Sequence, residues 1–135
     1  MENITAYQIS SSMNDGILEL VITGTAIGNE FEKMMLKVDS ILEAINAKEV
    51  ILDIRTFEEH IESITTIYQY TVKHNFFIHG VKTAVVDFQE KTSFAMALKT
   101  AGVSVERFID MDLARKWVKS NPIKETWEKE TAGRK

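Results

Sequence analysis

Apolar and polar positions in the first half of the chain follow two different spacings. "ITAYQIS" (4–10) and "ILELVITG" (17–24) are rich in strand-forming residues, and the polar run "SSMNDG" between them ends in a turn signal at 14–16. This pattern predicts an antiparallel hairpin. Apolar residues then recur at steps of three and four, which predicts an amphipathic helix through Ile27, Phe31, Met34, Val38, Ile41 and Ile45.

A continuous apolar run and a long helical pattern dominate the middle of the chain. "VILDI" (50–54) carries one aspartate among apolar residues, and strands of this kind are usually covered on both faces. Residues 60–79 predict a second helix, which ends at Gly80. Its apolar arc is wider than one sheet face needs. The arc is therefore ordinary core, a dimer face or the wall of an apolar pocket.

Strands and helices continue to alternate in the second half. The pattern predicts a strand, a helix, a strand and a helix in turn, over 83–88, 90–102, 103–110 and 110–120. Leu113, Trp117 and Val118 are expected to face inward. The order β-β-α-β-α-β-α-β-α predicts an α/β fold with a mixed five-stranded sheet, in which four parallel strands are joined by an antiparallel N-terminal strand. Residues 1–120 are expected to form one domain, and 121–135 a tail with a short docked helix and a frayed end.

The covering of the sheet's second face is an open question at this stage. Right-handed crossovers that all move the same way place their helices on one face. Residues 50–54 nevertheless have the apolar character of a strand buried on both faces. The second face must therefore be covered by the C-terminal helix and tail, by a helix that a reversal in strand order puts there, or by a partner subunit.

Composition narrows the classes of function. The 135 residues are 44% hydrophobic and carry a net charge of −4 without a Lys/Arg cluster, which argues against nucleic acid as a main partner. The absence of cysteine excludes disulfides, thiol catalysis and thiolate metal sites. The N-terminus is not a signal peptide, and no window is long and apolar enough to span a bilayer. A cytoplasmic protein without a cofactor is expected.

Three aspartates are the main candidates for chemistry. Asp53, Asp87 and Asp110 each lie at or near the carboxyl end of a predicted parallel strand, the edge at which open α/β sheets collect ligands. Together they could hold Mg²⁺ or serve a hydrolase. The favoured interpretation is structural, because short carboxylates commonly cap helices and end strands. No nucleophile–base pair accompanies them, so a hydrolase ranks third among the functions considered.

Other possible sites are weaker. His60 stands among Glu58, Glu59 and Glu62, but helix neighbours one and two apart cannot converge on one ion. These residues suit an acidic helix N-terminus better. The glycines in "GTAIGN" (24–29) match neither a dinucleotide-binding loop nor a phosphate-binding loop. No metal site is therefore expected.

The segments "VILDIRTFEEHIESI" and "FIHGVKTAVVDFQEKTSFAMALKTAGVSVERFIDMDLARKWVKS" resemble the SpoIIAA-like family of STAS-type bacterial domains. The resemblance covers about residues 4–120. It implies the mixed sheet described above, a topology similar to that of CRAL-TRIO lipid-binding domains. The matching positions are Asp53, Arg55, Phe57, Ala84 to Val86, Ile109, Asp110, Asp112, Ala114 and Trp117.

One family feature is missing from this sequence. Anti-sigma-factor antagonists carry a phosphorylatable serine in an "Asp-Ser-Ser-Gly"-like segment, and here the corresponding segment reads "TFEEHIES" (56–63). Its acidic side chains disfavour both the transfer of a phosphate and the phosphorylated product. The phosphoswitch is therefore not expected in this protein.

The leading hypothesis is a non-enzymatic regulatory or protein-interaction domain. A homodimer is expected, with contacts through the helix at 60–79 and the loop at 56–63. The alternative is a carrier or sensor that holds a small apolar ligand beside the same helix, as the likeness to CRAL-TRIO domains suggests. The residues expected to form the ligand or partner surface are Arg55, Phe57, Tyr68, Tyr70, Phe76 and Phe77.

Overall fold

The computed structural model describes residues 6–26, 29–58, 77–88 and 93–120. Within these ranges five strands are present, β1 Tyr7–Asn14, β2 Ile17–Thr25, β3 Glu49–Glu58, β4 Lys82–Val86 and β5 Val105–Phe108. The same ranges contain three α-helices, α1 Asn29–Ile45, α2 Ser93–Thr100 and α3 Met111–Lys119. A short 3-10 turn, Phe77–Gly80, precedes β4.

The strands form one sheet in the order β1-β2-β3-β4-β5. Among the described strands only β1 and β2 pair antiparallel, and the other neighbours are parallel, so the predicted mixed five-stranded α/β fold is confirmed. Most of the helix predicted over 60–79 lies outside the described residues, as does the tail at 121–135. The described part of that range belongs to the 3-10 turn, whose Ile78 N–H donates to Asp39 Oδ1 of α1 at 3.0 Å.

The hairpin is longer than its sequence pattern predicts. Asp15 and Gly16 have φ values of 56° and 82°, as a two-residue type I′ turn requires, so β1 runs through the serines to Asn14 instead of ending near residue 10. Residues 10–14 are exposed, and no apolar alternation marks them as a strand. At the other end of the hairpin Gly24 has φ 88°, and a Cβ there would overlap the carbonyl oxygen of Ala6.

The larger core lies between the sheet and the two helices α1 and α2. Leu20, Leu52 and Val85 of the central strands point to this side and are fully buried. Phe31 of α1 sits at its centre, with ring centroids 6.4 Å from Phe57 and 6.4 Å from Phe94. Burial of large apolar side chains at this density supplies most of the driving force for the fold.

The C-terminal helix covers part of the second face, which answers the question raised by the buried strand at 50–54. Ala114 and Val118 of α3 are fully buried against strand residues of this face, namely Ile17, Ile51, Ala84 and Val86. Lys82 fastens the end of the helix. Its Nζ lies 4.6 Å from the Trp117 ring centroid and donates to the Ser120 carbonyl at 2.6 Å. Among the described helices none is long and apolar enough to cross a membrane.

Candidate functional site

The carboxyl end of β3 is built around an ion pair between Asp53 and Arg55. The two residues are separated by one position on the strand, so their side chains share the face on which α3 packs. Arg55 Nε donates to Asp53 Oδ1 at 2.9 Å and Nη2 donates to Oδ2 at 2.7 Å, while the Arg55 backbone N–H reaches Oδ1 at 3.2 Å. Both carboxylate oxygens of Asp53 are therefore engaged by one residue.

The charges at this corner are stabilised by the pairing. Burial on its own would raise the pKa of Asp53, but the side-chain and backbone hydrogen bonds from Arg55 outweigh it, and the pKa lies below its ordinary value. The bond to Asp53 in turn raises the pKa of Arg55. Asp53 is thus an ionised structural partner of Arg55 at neutral pH.

A bulge in β3 separates Arg55 from Phe57. Val21 of β2 aligns with Asp53, whereas Thr23 aligns with Thr56, so β3 contains one extra residue at this point. Without the bulge, simple alternation would place Arg55 and Phe57 on the same face. With it, Arg55 lies on the α3 side and Phe57 enters the larger core, where it is 2% exposed.

Of the six residues expected to form a surface, the structure describes the side chains of only these two. Arg55 is about one-third exposed, at 31% of its side chain, and is available for contact. Phe57 lies in the core beneath it. The other four expectations concern side chains outside the described part of the chain, namely those of Tyr68, Tyr70, Phe76 and Phe77.

Three apolar side chains are exposed where β4 and β5 end and α3 begins. Phe88, Ile109 and Leu113 are 64%, 61% and 50% exposed, and the Arg55 guanidinium carbon lies 5.6 Å from the Phe88 ring centroid. A backbone bond from Asp87 N to Phe108 O, at 2.9 Å, holds the two strand ends side by side. We call the set Arg55, Phe88, Ile109 and Leu113 the carboxyl-edge surface.

The sequence pattern does not indicate that these residues are exposed. It predicts a buried strand over 83–88 that includes Phe88, but β4 ends at Val86. The expectation that Leu113 faces inward is wrong, because the small Ala114 takes the inward position on α3 and Leu113 projects away. Trp117 is half-buried and Val118 fully buried, in agreement with the pattern.

The three aspartates have separate structural settings. Asp53 is bound by Arg55, and Asp110 is the N-cap of α3, its carboxylate accepting the Asp112 N–H at 3.1 Å. Asp87 is 2% exposed at the end of β4. Within the described ranges, no group of three histidine, aspartate or glutamate side chains is placed to hold a metal ion.

A second ion pair, not indicated by the sequence, lies on the same face. Glu19 of β2 is 8% exposed and receives two bonds from Arg115 of α3, from Nε at 2.8 Å and from Nη2 at 3.1 Å. The bond to Glu19 raises the pKa of Arg115. The Arg115 charge lies near enough to Arg55 to oppose its protonation, while Asp110 favours it. The face beside α3 therefore carries two ion pairs, Asp53 with Arg55 and Glu19 with Arg115, next to the carboxyl-edge surface.

Comparison with known proteins places this architecture in a described fold. No model of a protein family matches the sequence, and no curated protein matches it significantly. An anti-sigma factor antagonist from Mycobacterium paratuberculosis is similar in structure, with a TM-score of 0.59, 12% identity, and coverage of 89% of this chain and 100% of that one. An uncharacterised DUF3478-family protein with a SpoIIAA-like fold, from Shewanella loihica PV-4, has a TM-score of 0.57, 17% identity and coverage of 87% and 98%. The chain has the SpoIIAA-like fold, as the resemblance implied.

Proposed function

We propose that the protein is a non-enzymatic regulatory domain that binds another protein through its carboxyl-edge surface. The fold is shared with an anti-sigma factor antagonist. The observation that carries the proposal is the exposure of Phe88, Ile109 and Leu113 around a partly exposed arginine. Aromatic residues and arginine are enriched at the centres of protein interfaces.

The charges around this surface indicate the chemistry of the partner. Glu58 and Asp110 are exposed at the end of the molecule where β3 and β5 end, and the exposed Asp112 nearby is paired with Arg115 at 3.5 Å. Arg55 is already engaged by Asp53 and so adds little free positive charge. The surface therefore suits a partner segment that combines apolar side chains with flanking lysine or arginine.

Regulation by this domain would proceed without phosphorylation of the β3 corner. The segment at 56–63 lacks the serine–glycine motif, and its described part holds an exposed Thr56 and Glu58 on either side of the buried Phe57. A phosphate added there would be repelled by the exposed Glu58, and the sequence of the segment carries two more glutamates. We place the protein in the cytoplasm, and binding itself would be its regulatory step.

Two further expectations concern the helix predicted at 60–79. A homodimer through that helix, and an apolar ligand carried beside Tyr68, Phe76 and Phe77, both depend on residues outside the described part of the chain. Within the described part, a pocket between α2 and β5 has a volume of about 140 Å³, below the 300–1,000 Å³ typical of ligand sites. The carrier stays a prediction, for which native mass spectrometry of the purified protein would show an extra mass lost on denaturation.

A site-specific photo-crosslinker at position 88 tests the proposed partner surface. In the organism that encodes the protein, the expected result is a discrete adduct with one protein. Ile109→Ser with Leu113→Ser should reduce that adduct about thirtyfold, since each removed anchor weakens binding by roughly 1 kcal/mol. Leu36→Ser on α1 is the matched control, because Leu36 is also an exposed leucine, at 44%, but lies on another element. An adduct that survives Ile109→Ser with Leu113→Ser, or that forms equally from a crosslinker at position 36, would contradict the proposal.

A further inference from the structure

The two edges of the sheet differ in how well they are protected against pairing with another strand. Edge strand β5 has only four residues and carries Glu106 and Arg107. Edge strand β1 has eight residues, "YQISSSMN", without a charge or a proline. Natural edge strands are usually short, charged or interrupted, because a long regular edge pairs readily with another chain. In the described part of the chain, β1 pairs with β2 alone.

The register of the hairpin fixes which backbone groups of β1 face outward. Asn14 and Ile17 flank the two-residue turn as a hydrogen-bonded pair, and bonded pairs then recur at every second residue. The bond from Thr25 N to Ala6 O, at 3.0 Å, fits this series at the other end. The backbone N–H and C=O groups of the even-numbered residues of β1 therefore form hydrogen bonds with β2. The outward N–H and C=O groups belong to Tyr7, Ile9, Ser11 and Met13.

We propose that two copies of the protein pair through β1 in antiparallel fashion, which joins two five-stranded sheets into one. A two-fold axis beside Ser10 places the outward residues of each copy opposite outward residues of the other, with about eight hydrogen bonds between them. In this register Met13 faces Tyr7 of the partner subunit, and Ser11 faces Ile9 of the partner subunit. The inference goes beyond the proposed function and does not depend on it.

Side chains on β1 fit a second copy in particular. Met13 is 54% exposed, and its register partner Leu18 shows that it lies on the face of the larger core, which Tyr7 and Ile9 also line. Pairing would cover Met13 with the aromatic ring of the partner subunit's Tyr7. Because β1 has no charge, the two copies place no like charges opposite each other, although the chain carries a net −4.

Substitution of Ser11 separates this interface from the hairpin itself. Ser11→Pro removes an outward N–H but no bond to β2, and proline is tolerated on an edge strand in this orientation. Ser11→Thr keeps the N–H and is the matched control. In sedimentation velocity at about 1 to 100 µM, we expect the wild type and Ser11→Thr to dimerise reversibly, and Ser11→Pro to raise the dissociation constant at least about tenfold, a loss of about 1.4 kcal/mol.

Hydrogen exchange on the wild-type protein gives a test that needs no variant. At concentrations where the dimer forms, the amides of Ile9, Ser11 and Met13 should become protected, whereas those of Ser10 and Ser12 are protected at all concentrations. A wild type that stays monomeric at 100 µM would overturn the proposal. So would a dimer in which Ile9, Ser11 and Met13 exchange freely. If that dimer were lost in Tyr70→Ser with Phe77→Ser, the contact would lie on the helix at 60–79 instead.

Discussion

Replacing Arg55 by methionine removes the cation that holds Asp53 while keeping much of the side chain's apolar length. The variant leaves the Asp53 carboxylate, whose side chain is 10% exposed, without its two side-chain hydrogen bonds. Breaking a fully buried pair costs about 3–5 kcal/mol, and one hydrogen bond to a charged group is worth about 1.5–3 kcal/mol. Because Arg55 is 31% exposed and water can reach the pair, we expect a loss of about 2 kcal/mol in the free energy of unfolding at pH 7.

The same substitution should change how stability depends on pH. In the wild type the pKa of Asp53 is lowered, so the pair stabilises the fold above the unfolded pKa of about 3.9, and this is lost as pH falls through the folded pKa. In Arg55→Met the backbone N–H of residue 55 still donates to Asp53, but burial is the larger effect and raises the pKa of Asp53 above its unfolded value. Protonation of Asp53 at low pH then removes the cost of burying its carboxylate without the Arg55 cation in the variant. The difference in unfolding free energy should shrink from about 2 kcal/mol at pH 7 to under about 1 kcal/mol near pH 4.

Urea unfolding of four proteins at both pH values measures this effect. The set is the wild type, Arg55→Met, Asp53→Asn and the double variant, which together give the coupling energy of the pair. We expect a coupling energy of at least about 1 kcal/mol at pH 7. Each single variant loses the interaction between the two side chains, and the double variant cannot lose it a second time. A loss below about 0.5 kcal/mol, or one that is equal at pH 7 and pH 4, would refute the view that Arg55 neutralises a buried carboxylate.

Four other substitutions test three separate parts of the structure. Gly24→Ala should lower the free energy of unfolding by about 2–4 kcal/mol in urea titration, because φ is 88° and the new Cβ meets the Ala6 carbonyl oxygen. Val118→Ala should cost about 1–2 kcal/mol, whereas Leu113→Ser should stay within about 0.5 kcal/mol, because only Val118 is buried beneath α3. Ser10→Glu, which places like charges opposite each other across the proposed two-fold axis, should weaken the dimer in sedimentation experiments, and salt should restore it; an unchanged dimer would contradict that register.

The regular parts of the fold could be predicted because the order of apolar, polar and turn residues in each segment is typical of one kind of secondary structure. The turn at Asp15–Gly16, the stripe of α1 and the apolar run of β3 each carry a local signal that agrees with the tertiary structure. The N-cap role of Asp110 was also readable, since a short carboxylate precedes a helical pattern there.

The missed features come from interactions between distant segments. The bulge in β3 depends on its pairing with β2, and without its one extra residue Arg55 and Phe57 would lie on the same face of the sheet. Residues 10–14 of β1 form a strand because the turn and the pairing with β2 hold their backbone in place. Their own side chains are exposed and give no strand signal. The pair of Glu19 and Arg115 joins residues 96 positions apart, which no local pattern can indicate.

The packing of α3 on the second face has a consequence for the order in which parts of the protein fold during synthesis. All five strands are synthesised before α3, so Ile51 and Val86 have no helix over them until the last described element has emerged. Two of the bonds that fasten α3 span long stretches of chain, 96 residues for Arg115 to Glu19 and 38 for Ser120 to Lys82. Docking of α3 is therefore a late, non-local step, and a chain interrupted near residue 110 would present a bare apolar sheet face to chaperones and proteases.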